Sequence, residues 1–339
     1  MSSLDAYSRE VTHHEFALDT ALRTQKLSDD EKETCNCPIP NLLSLVDLIM
    51  KEKDFSAPYL DNTLEFTLQD VIKYPVNSET PTHLCLLFNV IDKNGAATVL
   101  KNRKRKKRTE IKPDHKDGEG YEFSSHILIS LNGYKRVYKA VISRAPKIST
   151  NLIELFFNKV LFQIARKNSE RFSVNSKTNV TDISTGKTKK ILFKPVVGLR
   201  GTLDIELFNK MNSGGLAEVT LVKYEKSVIN VPDMNGAIIP IESTLKIKPN
   251  ESNDVLGWLR KVGGYFTKKE NGYYKNIKVK YNDENNKSRT VTLQTNNIKL
   301  EAIEKTFIKK SIISGFDFRL SSSYDKINIE IVDKLNEII

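Results

Sequence analysis

Apolar positions along this chain change repeatedly between a two-residue and a 3.6-residue period, which predicts strands and helices in mixed order. Within residues 3–26 the best apolar cluster is Phe16, Leu18, Ala21 and Leu22, too unevenly spaced to choose between a short strand and a helix. An acidic, proline-punctuated connector follows, and Asn41 then caps a helix over Leu42–Lys53, with Leu42, Leu45, Val46 and Ile49 on one face. Thr63–Val71 and Thr82–Asp92 read as strands. The second is a nearly continuous apolar run, as expected of a strand buried on both faces.

Tyr121–Leu131 and Tyr134–Arg144 alternate on either side of Asn132-Gly133, the dipeptide that suits a two-residue type I′ hairpin turn. That turn sets Leu131 opposite Tyr134 and His126 opposite Lys139. One face then carries Phe123, Ile127, Ile129, Tyr138, Ala140 and Ile142 into the core. The other presents Glu122, Ser124, His126, Lys135, Lys139 and Ser143, with Leu128, Val137 and Val141 among them. Asn151 and Glu154 form a capping box for a helix to about Lys167. It is apolar except for a stripe through Asn151, Glu154, Asn158 and Arg166, so it is buried in its own domain or in a subunit interface.

The second half repeats the mixture. Ile191–Val197, Leu216–Tyr224 and Ala237–Ile247 read as strands, Leu203–Met211 and Val255–Val262 as helices, the latter stopped by Gly263-Gly264. Asn276–Tyr281 and Arg289–Thr295 make a second hairpin, and helices near Leu300–Lys309 and from about Tyr324 complete the chain. Without a regular strand–helix rhythm the class is α+β, with mixed or antiparallel sheets and a buried helix. The 339 residues suit two domains, and the polar stretch 169–190 divides them into an N-terminal 1–168 and a C-terminal 191–339.

Charge changes this picture at one place. Lys101–Arg108 reads KNRKRKKR, with cations at Lys101, Arg103, Lys104, Arg105, Lys106, Lys107 and Arg108. It lies inside an excursion, 101–120, between a strand and a hairpin, and so is no terminal tail. The formal charge of +11 points the same way, toward an anionic partner. Cations so closely spaced neutralise phosphates and release counterions without reading bases, which predicts largely sequence-nonspecific nucleic-acid binding and leaves double-stranded DNA and RNA both open. Lys135 and Lys139 extend the same surface if the hairpin has the register above. KRKKR also matches a nuclear-localisation pattern, and a charge run of this kind is also what a merely solvated loop carries. Tyr121, Tyr134, Tyr138, Tyr265, Phe266, Tyr273 and Tyr274 lie near positive segments as candidate stacking groups, although strand aromatics more often fill cores.

No catalytic, metal or cofactor motif stands beside this run. Thr185-Gly186-Lys187-Thr188 has Thr181 where a phosphate-binding loop needs its first glycine. His13-His14 with Cys35 and Cys37 is too tightly spaced for a zinc site, and His115-Lys116-Asp117 lacks the spacing of a nuclease motif. Ser124, Ser125 and His126 alternate faces of one strand and have no third member. Asp204, Glu206 and Lys210, or Glu218 and Lys223, are the acidic–lysine sets that a metal-dependent nuclease would use. Three scattered cysteines, no apolar run long enough to span a bilayer and no secretory leader fit the cytoplasm.

Two patches carry a likeness to known proteins. One is EGYEFSSHILISL (119–131) with ISRAPKISTNLIELFFNKVL (142–161); the other is ILFKPVVGLRGTLDIELFNKMNSGGLAEVTLVKYE (191–225). They resemble bacterial and prophage phage-defence proteins, including phage-exclusion proteins of the Rex A type. The resemblance covers about half the chain and leaves out the basic run. It implies a cytoplasmic, oligomeric, DNA-binding accessory protein acting in abortive infection or phage sensing, with a companion defence protein as a further partner. The expectation is therefore a non-enzymatic DNA-binding protein. The alternatives are a metal-dependent nuclease effector and an interaction subunit whose cationic loop docks an acidic partner.

Overall fold

A computed structural model of the chain describes residues 4–23, 36–114, 117–176, 190–212, 216–223, 229–230, 237–238, 243–248, 254–266, 268, 274, 276–282, 288–294 and 307–339. The class is α+β, as expected. Packing divides the chain into two compact units, Met1–Leu199 with Lys310–Ile339, and Arg200–Lys309. The expected boundary across 169–190 is thereby moved. Phe172 packs its ring on Phe193, and Ser173–Asn175 pairs with Lys190–Leu192, so both ends of the polar stretch belong to the first unit; 177–189 lie outside the described residues.

The first unit is built on one sheet. Its strands, in spatial order, are β2 (Ser56–Tyr59), β3 (Leu64–Tyr74), β4 (His83–Asp92), β7 (Tyr121–Tyr134), β8 (Val137–Ser143), β1 (Ser8–Leu22), β10 (Lys190–Gly201) and β9 (Ser173–Asn175). β17 (Lys310–Ser314) comes back from the end of the chain to pair with the start of β1. Residues 3–26 thus hold a long strand, whose uneven burial reflects two different neighbours along one edge. β4 is buried along nearly its whole length, and its alternation sorts Leu84, Leu86, Phe88 and Val90 to one core and Cys85 and Leu87 to another.

Helices α1 (Leu42–Met50) and α2 (Thr150–Lys167) cover the first face. Asn41 caps α1 as its sequence predicts, its side chain accepting from the Leu43 amide. Phe156 of α2 meets Phe55, Phe66 and Phe88 at ring separations of 5.2–5.9 Å, so burial within its own unit uses most of this apolar helix. The predicted capping box is not what starts α2. Ser149 is the cap, accepting from the Leu152 amide, and Glu154 is committed elsewhere. Its Oε2 accepts from the Leu199 amide at 2.8 Å, and Asn158 both accepts from the Val197 amide and donates to its carbonyl, each at 2.8 Å. The polar stripe on α2 therefore satisfies the backbone of β10.

The hairpin also departs from its expected turn. β7 runs straight through Asn132 and Gly133, and the loop is Lys135-Arg136, both with positive φ, joining Tyr134 to Val137. Gly133 is a packing glycine: a Cβ there would strike the Tyr138 ring and come within 2.8 Å of the Val137 carbonyl. Beyond an irregularity between Ile129 and Gly133 the register settles at Ile127 opposite Ile142, which puts His126 beside Ser143 and not Lys139. The change of register is an even number of residues, so each side chain keeps its face. Ile127, Ile129, Tyr138, Ala140 and Ile142 do enter the first core, with Phe123 packed against it.

The second face was expected to be mixed and solvated. It is covered instead by the end of the chain, where Phe316, Leu320, Ile327 and helix α5 (Ile329–Asn336) pack on Val11, Cys85, Leu87, Leu128 and Val141.

In the second unit a four-stranded sheet has the order β14 (Ser243–Ile247), β11 (Leu216–Lys223), β15 (Asn276–Asn282), β16 (Ser288–Gln294), and β12 (Ile229–Asn230) pairs with β13 (Ala237–Ile238). Val219, Leu221, Ile277 and Val279 share a core with Leu207 of α3 (Ile205–Lys210) and with Val255 and Leu259 of α4 (Val255–Phe266). Gly263-Gly264 does not stop α4, because Val262 and Phe266 carry its apolar stripe through to the same core. The helix expected near Leu300–Lys309 is absent at its described end, where Leu203 bridges Ile308 and the Lys309 amide donates to the Thr202 carbonyl. Residues 300–306 lie outside the described set.

Candidate nucleic-acid interface

The excursion after β4 is a small ribbon rather than an irregular loop. Strands β5 (Thr98–Asn102) and β6 (Lys107–Ile111) pair from Thr98 opposite Ile111 to Asn102 opposite Lys107. Val, Leu and Thr positions favour extended backbone in the stem. At the tip the Asn102 side chain accepts from the Arg105 amide at 3.0 Å, and Lys106 turns the chain with φ of 52°. Every residue from Thr98 to Ile111 is exposed.

One phenol fixes the stem to the sheet. Tyr121 begins β7, donates its hydroxyl to the Ile111 carbonyl at 2.7 Å and accepts from the Thr98 amide at 2.9 Å, so it holds both strands of the ribbon at once. Its ring lies where a Cβ on Gly95 would sit, and a Cβ on Gly120 would come within 2.7 Å of the Asp92 carbonyl. Both glycines thus permit the close crossing at the ribbon's root. Tyr121 is a positioning residue and not a stacking platform. Tyr121→Phe removes both hydrogen bonds and no charge. It is expected to weaken duplex binding about fivefold through a looser ribbon, with the salt dependence unchanged. Titration by fluorescence anisotropy at several salt concentrations checks this, and a shallower salt slope would count against it.

All seven cations from Lys101 to Arg108 project from the tip half of this ribbon, and none forms an ion pair with a described residue. Glu110 is the only acid in the ribbon, and Lys112 pairs with it at 3.4 Å. The positive charge is therefore uncompensated locally.

Lys135 and Lys139 do not belong to this surface. The ribbon joins the first residue of β7, whereas Lys135 follows the last, thirteen residues along, which is roughly 40 Å of extended chain. Lys139 sits near that far end, opposite Glu15 of β1. A Debye length of about 8 Å at physiological salt separates the two regions electrostatically. Their expected union depended on folding the hairpin from its turn alone, and the strand is long enough to carry its two ends apart. Tyr134 and Lys135 are exposed at that end, with the Lys135 ammonium 5.2 Å from the ring centre. Among the other candidate stacking groups, Tyr138 is buried, anchoring α1 through its hydroxyl. Tyr265 is exposed beside Phe266, and Tyr273 lies outside the described residues.

A second polar constellation, of which sequence reading named only Ser124 and His126, lies on the covered face of the first sheet. Asp70, Asn89, Ser124, His126 and Arg9 are buried there, and each holds backbone of the C-terminal segment. Asp70 accepts from the Ile327 amide at 3.0 Å and pairs with Lys53 at 2.9 Å. Asn89 donates to the Tyr324 carbonyl at 3.0 Å, Ser124 accepts from the Tyr324 amide at 2.8 Å, and Arg9 donates to the Ser321 carbonyl at 2.8 Å. His126 Nε2 accepts from the Asn328 amide at 3.1 Å, which requires the neutral ring with its proton on Nδ1. Burial, with the Arg9 charge second, pushes the His126 pKa down to about 3. Asp70 is held below the usual carboxylate range by the Ile327 amide and Lys53, against the desolvation that is its largest single influence. These groups would attract a search for a catalytic centre, yet their polar atoms are engaged by the chain's own backbone, by Lys53 and, between Ser124 and Asn89, by one another. The signal for them was the apolar stripe Ile327, Ile331, Leu335, which needed an apolar floor such as Cys85, Leu87 and Val141 supply.

The nuclease candidates are likewise placed. Asp204 caps α3 by accepting from the Leu207 amide at 2.9 Å, and Glu218 accepts from Thr220 at 2.9 Å and pairs with Lys246 at 3.2 Å. His13 and His14 use Nε2 on Ser311 and Thr12 respectively, Cys37 packs against the first core, and Cys35, His115 and 181–188 lie outside the described residues. Among the described residues no group of His, Cys, Asp and Glu is arranged to hold a metal ion, and no helix is long and apolar enough to cross a membrane. No family model, no curated protein and no solved structure matches the chain.

Proposed function

We propose that this protein binds double-stranded DNA, largely without sequence preference, through phosphate contacts from Lys101 and Arg103–Arg108. What carries this reading is seven exposed, locally uncompensated cations at the end of a projecting two-stranded ribbon. Such a density of cations draws a polyanion by counterion release. The reading is of a binding protein, acting in the cytoplasm, and not of an enzyme. Its test is duplex affinity as a function of salt, for the native chain and for one with the seven cations replaced; equal affinities would overturn it. A partner acidic protein would instead be retained after nuclease treatment of a purified complex.

The resemblance of residues 119–131, 142–161 and 191–225 supports placing this binding in phage exclusion. Cells expressing the chain are expected to reduce phage plaquing efficiency, and plaquing unchanged across a panel of phages would remove that part of the proposal.

A further inference from the structure

Resting on the reading above, we propose that the ribbon Thr98–Ile111 enters the major groove of B-form DNA, and that this selects duplex DNA over duplex RNA. Two features other than charge point there. The first is shape. Two paired strands lie about 4.8 Å apart, and a two-stranded β-ribbon with its side chains is an element that a major groove admits. Such a ribbon matches a major groove about 12 Å wide and exceeds a minor groove about 6 Å wide. The five-residue strands span about 17 Å, long enough for one face of the ribbon to lie along the groove floor while the stem stays on the sheet. The major groove of A-form RNA is deep and too narrow to admit side chains, so the same ribbon is excluded from it.

The second feature is what lies beneath the cationic tip. Pairing and alternation put Leu100, Asn102, Lys107 and Thr109 on one face of the ribbon, and Lys101 and Arg108 on the other. Leu100 is 56% exposed and Ile111, on the same face, 48%, large apolar groups that the fold leaves in water, while Val99 and Glu110 lie on the opposite face. A face of aliphatic, hydroxyl, amide and ammonium groups meets what a major-groove floor offers, namely thymine methyls and base-edge donors and acceptors. The tip cations Arg103–Lys106 then meet phosphates along the groove walls.

The experiment compares four labelled 20-base-pair probes by anisotropy with the full native chain. They are a DNA duplex, the same sequence as duplex RNA, the DNA with bulky C5-substituted pyrimidines filling the major groove, and the DNA carrying a bound minor-groove ligand. The native chain is expected to bind the RNA and the groove-filled DNA at least about tenfold more weakly than plain DNA, and the minor-groove-occupied DNA equally well. Equal affinity for plain and groove-filled DNA, equal affinity for DNA and RNA, or loss of binding only with the minor-groove ligand would each overturn the groove assignment. The seven-cation variant separates the two levels. If it loses DNA binding while groove filling has no effect, DNA binding by the ribbon stands and the groove assignment falls. If it binds DNA as the native chain does, both fall.

Discussion

Replacing Lys101, Arg103, Lys104, Arg105, Lys106, Lys107 and Arg108 with Gln and Ser is expected to lower duplex affinity at 0.1 M salt by at least about a hundredfold. Counterion release contributes about 0.9 of a log unit per phosphate for each tenfold step in salt below 1 M. Three contacts among the seven cations are then worth a few hundredfold at 0.1 M, and all seven considerably more. The fold should be indifferent to the change. The seven side chains are exposed and make no ion pairs with described residues, and the backbone pairing of β5 with β6 does not use them. Relief of repulsion among seven like charges acts, if anything, in favour of the folded chain. Thermal unfolding of the variant should therefore match the native chain while binding is lost, which separates a surface effect from misfolding.

The second large effect is on acid stability. His126 is 2% exposed and is useful to the fold only while its Nε2 accepts from the Asn328 amide. Its folded pKa, about 3, lies below the ordinary value of 6.5. Below pH 6.5 the unfolded chain takes up a proton at this ring that the folded chain refuses, so stability is full above that pH and falls as the pH drops toward 3. One proton costs about 1.4 kcal/mol per pH unit, or about 3 kcal/mol lost by pH 4. His126→Gln keeps an acceptor for the Asn328 amide without the titration. Its stability deficit relative to the native chain at pH 7 should shrink or reverse by about 3 kcal/mol at pH 4, measured by urea unfolding at both values. Parallel pH profiles would show that His126 is not the group coupling the C-terminal segment to acid.

These two residue sets also show how legibility in the sequence divides. The helix at Leu42, strand β4 and helix α2 were readable because burial against a neighbouring layer imprints its period on consecutive residues. The cationic run was equally plain, since charge needs no fold to be seen. Its ribbon was hidden, because the β-favouring flanks Thr98–Leu100 and Thr109–Ile111 are short and the cations between them mask alternation. Asn132-Gly133 misled for a specific reason. The glycine serves the Tyr138 ring, and Lys135-Arg136 adopt positive φ with help from contacts far away in sequence, the Leu18 amide on the Arg136 carbonyl and the Arg136 side chain on the Ile39 carbonyl. Local pattern leaves His126 on an open face because its cover is about two hundred residues distant in sequence. The unit boundary failed likewise, since Lys310–Ser314 returns to β1 after the whole second unit has intervened. Local pattern fixes which face a strand residue takes; it does not say what arrives to cover that face.

The central claim, that the ribbon is a phosphate-binding device, is tested most directly by the salt slope of duplex binding for the native chain beside the seven-cation variant. The slope of log affinity against log salt is expected to be at least about three units steeper for the native chain, corresponding to three or more phosphates engaged by the ribbon. Slopes that coincide, or a native chain that binds no duplex at low salt, would contradict it.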